Sequence, residues 1–64
     1  MLADWELWAC ANHYVVKHGE DGPTIAARRC DELLDARDYD GARNYQAIIL
    51  RINKLLKAQT NMVH

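Results

Sequence analysis

The chain has 64 residues, half of them hydrophobic and 27% charged, with a formal net charge of −1. That length allows one domain over residues 1–64 and excludes a large enzyme with a deep pocket, because a domain near this size buries only about 60% of its unfolded surface. A near-zero net charge removes the bulk electrostatic argument for binding nucleic acid or a membrane surface.

Composition sets further bounds. One proline, three glycines and abundant Leu, Ile and Val exclude a disordered chain. The longest uninterrupted aliphatic run is Ala47-Ile48-Ile49-Leu50, far short of a membrane span. The first residues, Met1-Leu2-Ala3-Asp4-Trp5-Glu6, carry neither a basic stretch nor an apolar stretch of the secretory kind. The expectation is a cytoplasmic protein in which Cys10 and Cys30 stay reduced.

The first expected helix covers residues 4–18. At about 100° per residue, Leu7, Trp8, Ala11, Tyr14 and Val15 form one stripe, with His18 at its end. Trp5, Ala9 and Val16 form a second, nearly opposite strip interrupted by Asn12. A helix with apolar surface on two sides is either enclosed or has a second partner, and a three-helix protein of this size cannot easily enclose one; the alternative is that the helix tilts and uses both sides within the monomer. The helix ends at His18-Gly19, where glycine accepts a positive φ. Asp21 or Gly22 is the expected cap of the next helix, with Pro23 in its first turn, where no N–H is needed.

The second helix, 23–36, turns Ala26, Cys30, Leu33 and Leu34 to the core, with Ala27 beside them. Arg28, Asp31, Glu32 and Asp35 make a solvated ladder on its far side. Asp38 is the expected N-cap of a third helix, 39–60, and Asp40 lies in its first turn, where negative charge is favoured. Ala42, Tyr45, Ile49, Ile52 and Leu56 follow bundle spacing there, and Ile48, Leu55 and Met62 widen the stripe. Leu50 stands on the outer side among Arg43, Lys54 and Lys57. The expectation is an all-α, compact three-helix bundle.

Three antiparallel helices of these lengths would bring residues 18 and 23 near residue 53 or 54. Leu55, Leu56 and Met62 would then run past their neighbours. Together with Trp5, Val16 and Leu50 they are the candidate partner interface, either with a second copy of the chain or with another protein.

Charge is divided along the chain. Residues 1–40 hold nine acids against four bases, net −5, whereas residues 41–64 hold Arg43, Arg51, Lys54 and Lys57 and no acid, net +4. Bases near the C-terminal end of a helix suit its dipole. The functional alternative is that these four residues form a basic face for nucleic acid or an acidic protein. A recognition helix is not evident: Arg28 and Arg29 are followed by Asp31, Glu32 and Asp35.

Chemistry-bearing residues are few. Cys10, His13, His18 and Cys30 include a Cys-x2-His pair, but a closed zinc site needs four convergent ligands. Cys30 is expected in the core, Cys10 on its flank and His13 facing nearly the opposite way, so no metal or other cofactor is expected. The same angles disfavour a Cys10–Cys30 disulfide. A Cys–His pair without a third orienting group or an oxyanion site gives no basis for catalysis. Gly19-Glu20-Asp21-Gly22-Pro23 lacks the lysine and hydroxyl of a phosphate loop, and its carboxylates would repel phosphate.

Two resemblances extend this reading. Arg37-Asp38-Tyr39-Asp40-Gly41-Ala42-Arg43-Asn44-Tyr45 looks like the turn and second-helix opening of a tetratricopeptide repeat, but the preceding helix lacks that pattern and one hairpin makes no array. Glu6-Leu7-Trp8-Ala9-Cys10-Ala11, then Val16-x-His18-Gly19-x-Asp21-Gly22-Pro23, Ala27-x-Arg29, Leu33 and the Gly41 turn are similar to a small family of alphaproteobacterial, sphingomonad-type proteins of unknown function. The His-Gly-x-Asp segment is its most specific part. The resemblance implies a bacterial protein of about this length and brings no activity with it.

Overall fold

A computed structural model describes the backbone of residues 2–61 and the side chains of residues 2–59. Three α-helices account for nearly all of it: α1 (Asp4–His18), α2 (Gly22–Asp35) and α3 (Tyr39–Asn61), with a 3₁₀ turn, Gly19–Asp21, between the first two. No strand occurs among the described residues, and no described helix is long and apolar enough to cross a membrane.

The helix ends follow local chemistry. Glu6 reaches back to accept the Ala3 N–H at 3.1 Å, half of a capping box whose other half the Ala3 methyl cannot supply. Gly19 takes φ 57° and its N–H donates to the Val15 carbonyl, closing α1 as expected of a glycine there. Asp21 makes no side-chain cap to α2; the 3₁₀ turn fills that role with a bond from the Gly22 N–H to the Gly19 carbonyl. A Cβ on Gly22 would lie 3.4 Å from both Ile52 Cγ2 and the Tyr14 carbonyl oxygen, close to ordinary contact distance, so the start of α2 packs tightly against α1 and α3.

The α2–α3 connection contains a turn that the sequence does not announce. The Arg37 N–H donates to Leu34 O at 3.0 Å and the Asp38 N–H to Leu33 O at 2.8 Å, a Schellman arrangement with Arg37 at φ 62°. Asp38 then caps α3 as expected, its carboxylate accepting the Gly41 N–H at 3.0 Å. A Cβ at Gly41 would fall 2.6 Å from the other carboxylate oxygen, which explains a glycine inside the first turn of α3 rather than in the connection before it.

The core joins Leu7, Ala11 and Val15 of α1 with Ala26 of α2 and Ile48 and Ile52 of α3, while Cys30 and Ala42 are buried where α2 meets α3. The small buried residues, Ala11, Ala26 and Ala42, let three backbones approach closely. The Cys30 thiol donates to the Ala42 carbonyl at 3.5 Å.

The helices are not all laid side by side. The N-terminal end of α1 meets α3 at Asn44 (Oδ1 accepting the Leu2 N–H at 3.1 Å) and at Arg51. Its C-terminal half meets Tyr45 and, through the packing around Gly22, Ile52. Both ends of α1 thus span the same two turns of α3, so α1 lies across α3 rather than along it.

Two expectations change. Leu55 and Leu56 do not overhang; both are half-buried and pack against the core cluster. Leu34 is 40% exposed rather than in the core, because it lies one step round α2 from the Ala26–Cys30–Leu33 line. Met62 lies outside the described residues.

Candidate functional site

Two surface features stand out, both on α1. The first is its outer strip. Trp5 is 72% exposed and Val16 78%, and Ala9 and Asn12 between them are also exposed. The opposite side of the same helix supplies Leu7, Ala11 and Val15 to the core, so the strip has no use within the monomer. Trp8, expected on the core stripe, sits instead at the strip's margin, with the Arg51 guanidinium 5.4 Å above its ring.

The second feature is a hollow of about 460 Å³ on one flank of α1. Cys10, His13, Tyr14, Lys17 and His18 form its α1 wall along with Ala9, Ile25 of α2 and Tyr45 of α3 complete the lining, and it opens to solvent. Its size falls within the range of small-molecule clefts, about 300–1,000 Å³. Aromatic rings dominate the lining. Tyr14 and His18 lie 5.8 Å apart between centroids, and Tyr14 and Tyr45 meet edge to face at 6.2 Å.

The Tyr14 hydroxyl donates to the Tyr45 hydroxyl at 3.2 Å. Burial, reinforced by that hydrogen bond, pushes the Tyr14 hydroxyl up to about 12, so it stays a proton donor throughout the physiological range. A phenol that accepts from its neighbour still has its own proton to give.

The structure therefore groups the chemistry-bearing residues differently from the sequence expectation. Cys10, His13 and His18 share one hollow, whereas Cys30 is buried elsewhere with its thiol on Ala42; both cysteines are free thiols. Among the described residues no three His, Cys, Asp or Glu side chains are close enough to hold a metal ion. Lys17, Ile25 and Tyr45 had no place in the expected site. The repeat Cys10-x2-His13-Tyr14-x2-Lys17 along one flank was a usable signal; Tyr45, thirty-one residues beyond Tyr14, was not.

The expected basic face is also redrawn. Arg43, Lys54 and Lys57 are exposed around Leu50, itself 63% exposed. Arg51 does not join them. Its guanidinium turns to α1, with Nη2 2.7 Å from the Asp4 carboxylate and Nη1 on the Ala47 carbonyl at 3.0 Å.

No curated protein and no solved structure matches the chain. One family model does, over residues 3–60, and its description is a family of unknown function, DUF6961. That span takes in all of α1 and α2, both connections and nearly all of α3. The chain belongs to this family of unknown function.

Proposed function

We propose that the protein is a small self-association module that works by binding rather than catalysis, two copies pairing through the outer strip of α1. The observation that carries this reading is the exposure of Trp5 and Val16, 72% and 78%, on a helix whose other side is already committed to the core.

The spacing favours a second copy over an unrelated partner. Trp5, Ala9, Asn12 and Val16 are separated by four, three and four residues, a series that reads the same in both directions. A two-fold axis between Cys10 and Ala11 sets Trp5 against the partner's Val16 at each end, and Ala9 against the partner's Asn12 in the middle. Such self-complementarity is what an isologous contact requires. The small Ala9 side chain leaves room for helix axes to approach to about 8–10 Å. One helix face buries an area at the small end for specific contacts, so the dimer is reversible, with dissociation in the micromolar range or weaker.

Leu55 and Leu56 are half-buried against the core and Leu50 is exposed on α3, so the contact in this reading rests on Trp5 and Val16. In this reading the dimer resides in the cytoplasm, as the first residues suggest, of the bacterium that the family resemblance implies. Size-exclusion chromatography of Trp5→Ala and Val16→Ser tests it. Both variants should elute later than the parent at equal concentration with unchanged helicity, and co-elution of all three would contradict the proposal.

A second reading rests on Arg43, Lys54 and Lys57, three exposed bases in a segment without acids. If this face holds nucleic acid, affinity must fall with salt with a log–log slope of about −2 to −3. Absence of binding to mixed-sequence DNA and RNA at low salt removes this reading.

A further inference from the structure

We propose that the hollow beside α1 is a binding site for a small organic anion with a flat, apolar body, of the aromatic monocarboxylate class. It rests on the flank of α1 that carries Cys10, His13 and Lys17 rather than on the Trp5–Val16 strip, and only Ala9 borders both.

Charge selects an anion. The chain has nine acidic side chains, yet none lines the hollow. The polar groups that do line it include a lysine, two imidazoles and two phenols, all able to donate. Lys17 is exposed and makes no ion pair among the described residues, so its ammonium is available to a ligand carboxylate. Tyr45 accepts from Tyr14, so its own O–H is not used in that bond and can be donated to a ligand acceptor. A carboxylate bridging Lys17 and Tyr45 would gain one charge-assisted hydrogen bond from each.

Shape selects a flat apolar body. The rings of His13, His18 and Tyr45 surround that of Tyr14 at centroid separations of 5.8–6.3 Å, and all four line the hollow. Ala9 and Ile25 add aliphatic surface. A planar ring stacks on such walls, whereas an inorganic anion would leave them in contact with water.

Benzoate is the probe, titrated into the ¹⁵N-labelled protein at constant ionic strength, with acetate and benzyl alcohol as the anion without the ring and the ring without the charge. Saturable benzoate shifts should be confined to α1 between Ala9 and His18, with Ile25 and Tyr45. Acetate and benzyl alcohol should each bind at least about tenfold more weakly. Lys17→Gln, at an exposed position, and Tyr45→Phe, which keeps the ring, should each weaken benzoate by about tenfold while the parent fold is retained. Shifts that do not saturate, equal binding of benzyl alcohol, or indifference to both substitutions would overturn the proposal.

Discussion

Arg51 of α3 holds Asp4 of α1 at 2.7 Å, and the same guanidinium lies 5.4 Å over the ring of Trp8, one turn further along α1. Asp4 is three-quarters exposed, whereas the Arg51 side chain is only 20% exposed. The pair is therefore asymmetric. Its Coulomb energy is screened on the Asp4 side, and much of its effect comes from the planar cation laid on Trp8 and tied to the Ala47 carbonyl. Arg51 fastens the first turn of α1 to the middle of α3, which fixes how α1 lies across the bundle.

Arg51→Lys keeps the charge but loses the planar fork, so it should destabilise the fold by about 1 kcal/mol. Asp4→Asn should cost less, about 0.5 kcal/mol, because its carboxylate is exposed. Urea denaturation of the two variants checks the order. A larger loss from Asp4→Asn would show that the ion pair, not the stacking, dominates.

Arg37 occupies the left-handed position of the turn between α2 and α3 with φ 62°. A side chain there costs about 1 kcal/mol relative to glycine, partly offset by the greater freedom glycine has in the unfolded chain. Arg37→Gly should therefore raise stability by up to about 1 kcal/mol, and the β-branched Arg37→Val should lower it. Thermal unfolding of the two variants gives the comparison, and a loss on Arg37→Gly would mean that the guanidinium contributes something its exposure does not reveal.

Tyr14 links stability to alkaline pH. Its hydroxyl is raised to about 12 in the folded protein, against an ordinary value near 10 in the unfolded chain. Below pH 10 both states hold the proton, and the contribution is fully present. Between about 10 and 12 the unfolded chain releases the proton while the folded protein keeps it, so stability falls as pH rises. Tyr14→Phe should remove that part of the alkaline loss. Stability curves of the parent and the variant between pH 8 and 12 should diverge only above about 10, and parallel curves would rule the assignment out.

Helix positions were legible because their determinants are local. His18-Gly19 ends α1, and Asp38 starts α3, each through bonds made within a few residues. The outer strip of Trp5 and Val16 was legible for the same reason, since one helix's own periodicity separates its two faces. What the sequence concealed depends on how α1 crosses α3. Arg51 read as one more base on a basic helix, because nothing in its neighbours indicates Asp4 and Trp8. Leu55 and Leu56 read as an overhang only for helices laid side by side. The hollow was hidden because it needs Ile25 and Tyr45 from two other helices to complete its lining. His13 shares a wall with Cys10 through their three-residue spacing on α1, which the spacing alone shows.

The central claim is the antiparallel contact of α1 with a second copy. It is tested most directly by isotope-filtered NOE spectroscopy on a mixture of labelled and unlabelled protein, in which only contacts between copies survive. The account predicts cross-peaks from the Trp5 indole to the methyl groups of the partner's Val16. Cross-peaks between Trp5 and the partner's Trp5, or none at all at millimolar concentration, would contradict it.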